Sequence, residues 1–191
     1  MIGNDIVDLK QAALESNWQR KGFLNKVFTQ KERAYIQDSE NPFLMVWQLW
    51  SMKESAYKIN SQQYQQRFFN PKRIACSFLN DVNDEVKIDN NVYSTFSTFD
   101  KGFIYTVATL KKKHKILSSL FKIDNSCYKT QHQTCNTKLI KAISELYDLK
   151  GEYVNVKKSM LGIPKLYKNE ELLNINCSIT HHGNYGAYAI F

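Results

Sequence analysis

Two acids and a lysine stand where apolar residues are expected. Phe43, Val46, Trp47, Trp50 and Tyr57 recur at three- and four-residue intervals, as one face of a helix requires. At roughly 100° per residue, Glu54 falls in the middle of that stripe, and Lys58 lies one turn further on nearly the same line. A carboxylate on a buried face is costly unless it is paired or coordinates a cation. Three arrangements would accommodate it: a position at the stripe's boundary, an i,i+4 ion pair with Lys58, or a ligand in a polar cleft. The segment Gly3-Asn4-Asp5-Ile6-Val7-Asp8 places an acid inside an otherwise apolar strand. Alternation puts Asp5 on the face of Val7 and Leu9, and Asp8 on the other. Asp5 is then either a surface acid at a strand end or a partner of Glu54. Two such acids meeting in space would suit Mg²⁺, which takes one or two carboxylates and fills its shell with water and substrate phosphates.

The elements that must position these residues follow from the pattern. A short strand over residues 2–9 leads into a helical stretch. Thr29, with Glu32 three residues later, reads as a capping box opening a helix. Asn41-Pro42 opens the next helix, which runs to about residue 60. The polar SQQYQQ that follows is a loop or a frayed end. Strands are expected at 73–79, 84–88, 92–99 and 103–110, the last two joined by the turn Asp100-Lys101-Gly102. After the basic run KKKHK at 111–115 and a polar stretch, a helix is expected over about 137–149, stopped by Gly151. LLNINCSI, THHGN and YGAYAIF then read as strand, glycine-containing turn, strand. Aligning Gly102 with Gly183 gives both halves the same order, helices first and a terminal hairpin last. The expectation is an α+β fold of two similar lobes, each a small antiparallel sheet with packed helices, over 1–113 and 114–191.

GNDIVDL and WSMKESAYK together resemble the signature of the 4′-phosphopantetheinyl transferases: G-x-D on a strand, then W-x-x-K-E-[SA]-x-x-K on a helix. FTQKE resembles that family's stretch ending in an acid that helps activate the nucleophile. STFDKGFIYTVAT resembles its closing hairpin. Gly162-Ile163-Pro164 and Asn176-Cys177-Ser178-Ile179-Thr180-His181-His182-Gly183 resemble the G-K-P and N-I-S-H-S-G motifs of the larger, pseudo-dimeric members, typified by the surfactin-synthetase activator. In those members this lobe precedes G-x-D; here it follows, so the resemblance implies a permuted order of two pseudo-twofold lobes.

The resemblance further implies an activity. The 4′-phosphopantetheine arm of coenzyme A would pass to a serine of an apo acyl or peptidyl carrier protein, releasing 3′,5′-adenosine bisphosphate, in fatty acid or polyketide biosynthesis. Asp5 and Glu54 would hold Mg²⁺, or Mn²⁺ in its place. Lys53, Lys58, Lys165, Thr180 and His181 would bind coenzyme A. Glu32 would be the general base, and Glu54 and Lys58 would act at the reacting phosphate. Two departures stand out. Larger members have a third acid where Val7 lies here, and the lysine of G-K-P is Ile163, with Lys165 as a replacement.

Composition fits this reading. Lys plus Arg is 26 and Asp plus Glu is 18, a net +8 that favours phosphorylated or acidic partners. A basic nucleic-acid- or coenzyme-A-binding module without transferase activity is the competing class. No RNP, zinc-finger or clear helix-turn-helix pattern supports nucleic acid as a partner, and that class leaves Glu54 unexplained. No apolar run approaches the roughly 20 residues of a membrane helix, so no membrane partner is expected. Asp5 and Asp8 oppose a signal peptide. Cys76, Cys127, Cys135 and Cys177 form no C-x-x-C pair, as expected of free thiols in the cytoplasm. Two fused lobes would make a monomer.

Overall fold

The computed structural model describes residues 1–68, 70–79, 84–110, 116–124 and 127–191. The run KKKHK and the expected lobe boundary at 113/114 lie outside the described residues. The first lobe contains β1 (Ile2–Asp8), α1 (Leu9–Glu15), α2 (Phe23–Val27), α3 (Gln30–Asp38) and α4 (Pro42–Tyr64). A 3₁₀ turn at Pro71–Arg73 leads into β2 (Ile74–Ser77), β3 (Asp84–Ile88), β4 (Asn91–Phe99) and β5 (Phe103–Thr109). These strands form one antiparallel sheet in the order β1-β5-β4-β3-β2.

α4 is the spine of the lobe. Asn41 caps it by accepting from the Leu44 amide at 3.1 Å, Pro42 fills its first turn, and Gln65 ends it in the left-handed region at φ 51°. It lies so close to β1 that a Cβ on Gly3 would collide with the Ser55 carbonyl oxygen. Two serines hold it to the sheet: Ser51 Oγ donates to the Asp5 carbonyl at 3.3 Å, and Ser55 Oγ to the Thr106 carbonyl at 3.0 Å. The glycine and both serines of the two motifs thus have structural work of their own. The apolar core under α4 includes Phe28, Leu49, Met52, Ile59, Ile88 and Tyr93.

The second lobe has β6 (Leu117–Lys122), α5 (Tyr128–Leu146), β7 (Val154–Lys158), β8 (Pro164–Lys168), β9 (Glu171–Leu172), β10 (Cys177–His182) and β11 (Tyr185–Ile190). It carries two small antiparallel sheets, β10-β11-β6 and β7-β8-β9. The lobes share a topology. In each, the last strand lies between the first strand and its own hairpin partner: β1-β5-β4 and β6-β11-β10. In each, the amide just after the first strand donates to the hairpin turn, Leu9 N to Gly102 O at 3.0 Å and Ile123 N to Asn184 O at 2.8 Å. The fold is therefore α+β, with two similar lobes.

Three elements depart from expectation. α5 starts at Tyr128, about nine residues before the expected start at 137, because Gln131 and Cys135 in its polar first half are buried. β6 was hidden in a segment that carries no strand signal beyond its length. β1 does not alternate: all seven residues are buried, because α4 covers it on one side and the second lobe on the other. Val7 accordingly belongs to the apolar core.

Candidate active site

The lobes meet edge to edge along β1 and β10. An edge strand leaves every second amide unpaired. Here Asn4 N, Ile6 N and Asp8 N donate to Ser178 Oγ at 3.1 Å, Thr180 Oγ1 at 3.3 Å and His182 Nδ1 at 2.9 Å. The period of two in both strands sets this side-chain ladder and brings residues 174 apart into register. Thr180 Oγ1 also donates to Asp5 Oδ1 at 3.2 Å.

Asp5 is the centre of the junction. Besides Thr180, its Oδ1 takes Lys58 Nζ at 3.3 Å, and the same ammonium donates to the Asn4 carbonyl at 2.7 Å. Burial raises the Asp5 pKa against the opposing effect of Lys58. Glu54 faces the same space one turn before Lys58. Its pKa is pushed up to about 7, first by burial and then by the Asp5 charge, with Lys58 opposing. The Glu54 carboxylate accepts no hydrogen bond from the described residues. Neither a boundary position nor a simple i,i+4 pair describes it, since Lys58 bonds to Asp5 instead.

The donor set fits a hard cation. Two carboxylates on facing elements raise each other's pKa, and one has no protein partner, so a divalent ion would relieve both. Among the described residues no three His, Cys, Asp or Glu side chains converge as a metal group. A cation here would take two protein carboxylates and complete its shell from water and substrate. Val7 contributes nothing to it. Asp8 faces elsewhere: its carboxylate accepts from Lys10 N, Gln11 N and Asn184 N, capping α1 and fixing the β10–β11 turn. At that turn Gly183 has φ 55°, and a Cβ there would strike Asp8.

Glu54 is a shared wall of three cavities. One, of about 320 Å³, holds Asp5, Trp47, Trp50, Glu15, His181 and His182. A second, of about 360 Å³, follows the lobe seam past Lys58, Arg67, Gly162, Ile163 and Ser178. A third, of about 270 Å³, lies inside the first lobe against α2.

The sequence-derived residues divide accordingly. Asp5, Glu54, Lys58, Thr180 and His181 come together. Thr180 is spent on Ile6 and Asp5, so it orients a carboxylate rather than reaching into the cleft. His181 packs edge-on to Tyr128, with ring centroids 5.2 Å apart, and its pKa is lowered to about 4 by burial, then by Lys158, His132 and Lys58. It is a neutral hydrogen-bonding group at pH 7, not a cation. Lys165 lines none of the three cavities; its charge acts on the buried Cys177 thiol.

Glu32 and Lys53 are corrected by the structure. They form a buried ion pair at 2.8 Å, with side chains 0% and 2% exposed. Glu32 accepts from Thr29 N and Cys76 N, both at 2.7 Å, and Lys53 donates to the Pro71 carbonyl at 2.9 Å and to the Ile74 carbonyl. The capping box is present, but its acid is enclosed, so Glu32 is no general base and Lys53 no coenzyme ligand. The pair ties α3 and α4 to the 3₁₀ turn and β2. Sequence reasoning missed Arg67, whose Nε donates to the Leu161 carbonyl at 3.2 Å across the seam, and Lys158, which acts on His181. Neither carries a local signal.

A family model described as the 4′-phosphopantetheinyl transferase superfamily matches residues 1–109. No curated protein sequence matches the chain. Among solved structures, the chain is similar to Thermotoga maritima holo-[acyl-carrier-protein] synthase at 8% identity and a TM-score of 0.46, covering 90% of this chain and 83% of that one.

Proposed function

Because the chain belongs to the 4′-phosphopantetheinyl transferase superfamily, we propose that it transfers the phosphopantetheine arm of coenzyme A to a serine of an acyl or peptidyl carrier protein. The observation carrying this reading is the convergence of Asp5, Glu54, Lys58 and His181 at the lobe junction, from positions up to 176 residues apart.

Asp5 and Glu54 would hold Mg²⁺ or Mn²⁺. A cation bound there supplies positive charge against the pyrophosphate as it breaks. Thr180 fixes Asp5 from behind, so one carboxylate is oriented before substrate arrives. Lys58 is anchored on the Asn4 carbonyl and partly exposed, and its remaining N–H groups meet phosphate oxygens. His181, neutral at pH 7, donates a hydrogen bond to the coenzyme. Arg67 adds a charge along the seam cavity. With Glu32 enclosed, Glu54 is the group in the cleft able to take the serine proton, directly or through water; its basicity suits neutral pH. The serine oxygen attacks the β-phosphate, and 3′,5′-adenosine bisphosphate leaves.

Among the described residues no helix is long and apolar enough to cross a membrane, and a cytoplasmic carrier is the partner in this reading. The chain would act as a monomer, the second lobe completing the site. Incubation with coenzyme A, Mg²⁺ and a panel of apo-carriers tests it by carrier mass. One phosphopantetheine should add to at least one carrier; no addition to any contradicts the reading.

A further inference from the structure

The reacting phosphorus of coenzyme A carries three limbs at the moment of transfer. One is the anionic adenosine bisphosphate, one the uncharged pantetheine arm, and one the incoming serine. Glu54 is likewise the common wall of three cavities, and their linings differ in chemistry. The seam cavity carries Lys58 and Arg67, with Gln62, Ser61 and Ser178. The cavity beside Asp5 carries carboxylates and the two histidines. The third is walled by Phe23, Val27, Trp50, Tyr57, Phe68 and Ile74. Its rings are set edge to face, Tyr57 against Phe68 with centroids 5.1 Å apart. Arg20 lies over the Phe23 ring at 4.6 Å.

We propose that this aromatic recess between α2, α4 and the Pro71–Arg73 turn seats the pantetheine arm, and so selects what the enzyme transfers. The assignment rests on the transferase reading above. Charge segregates the limbs: phosphates go to the seam with its two cations, and the limb without charge goes to the lining without cations close to the reacting centre. The arm begins with a quaternary carbon bearing two methyl groups, one methylene away from the phosphate ester. Trp50 and Tyr57, which flank Glu54 on α4, provide the apolar contact at that distance. The volume, about 270 Å³, falls just below that of a site for a whole drug-sized ligand, as expected for one limb of a larger molecule. The recess also lies wholly within the first lobe, away from His181 and the second-lobe turn that face the nucleotide in this reading.

The test compares binding of coenzyme A and of 3′,5′-adenosine bisphosphate by calorimetry, in the native chain and in Phe68→Ala. Phe68 is half-buried at the edge of the recess, and a melting curve monitors folding. A Phe23→Ala variant repeats the test from the opposite wall. Both variants should weaken coenzyme A by roughly tenfold and leave the bisphosphate unchanged. Equal loss for both ligands, or no loss for either, overturns the assignment. So does an unchanged coenzyme A affinity with a raised KM for the carrier, which would give the recess to a carrier side chain. If the native chain binds coenzyme A but transfers nothing, the transferase reading fails while the recess is still judged by the two affinities.

Discussion

Replacing Glu32 by alanine separates a structural carboxylate from a catalytic one. In the native protein every charged atom of the Glu32–Lys53 pair is matched: two amides meet Glu32, two carbonyls meet Lys53, and the pair itself closes at 2.8 Å. Removal of Glu32 leaves an ammonium enclosed beside Phe28, whose ring lies 5.7 Å from Nζ, and strips the Cys76 and Thr29 amides of their acceptor. Breaking a buried pair from one side costs about 3–5 kcal/mol. For a chain of this size each kcal/mol lowers the melting temperature by about 2–4 °C, so a fall of roughly 6–20 °C is expected. The double replacement Glu32→Met with Lys53→Met should recover most of it, because an apolar pair of similar volume needs no charge balance. The assay is thermal unfolding by circular dichroism, with transfer measured on folded protein at low temperature. Glu32→Ala protein that melts like the native chain but loses transfer by about a hundredfold or more would refute this account and restore Glu32 as a base.

Two other outcomes follow from the junction. Glu54 has its pKa raised from 4.5 to about 7 in the folded chain, so the folded state holds that proton more tightly than the unfolded one. Its contribution to stability is full below about pH 4.5 and is lost as pH rises through 7; Asp5 shifts in the same direction. Metal-free protein should therefore lose melting temperature between pH 5 and 8, with a shallower slope in Glu54→Gln, and Mg²⁺ should restore the loss at the alkaline end. A slope unchanged by the substitution would contradict the assignment. Thr180→Val removes the acceptor of Ile6 N and the donor to Asp5. It should cost about 1–3 kcal/mol of stability and raise the metal concentration needed for activity; an unaltered metal requirement would deny Thr180 its role behind Asp5.

Much of the first lobe was legible because its signals are local. Thr29 and Glu32 form the capping box that their spacing implied, Asn41-Pro42 opens α4, and both terminal hairpins turn at their glycines. What the sequence hid is what depends on distant partners. The same Glu32 that caps α3 also reaches Lys53 and Cys76 N, and no local pattern shows this. Lys53 lay off the apolar stripe and read as solvated, yet the 3₁₀ turn and β2 cover that face of α4 and supply two carbonyls to it. Asp5 could not be placed by alternation, since β1 is covered on both faces. The sequence showed that Asp5 and Glu54 were anomalous. Only the side-chain ladder between β1 and β10 explains how Thr180 and His181 come to stand beside them.

Titration of Mn²⁺ with detection by electron paramagnetic resonance, in the presence of coenzyme A, tests the central claim most directly. The native chain should bind one ion, and Asp5→Asn and Glu54→Gln should each abolish or strongly weaken it while remaining folded. Undiminished binding of that ion in both variants would contradict a metal site at the junction of the two lobes.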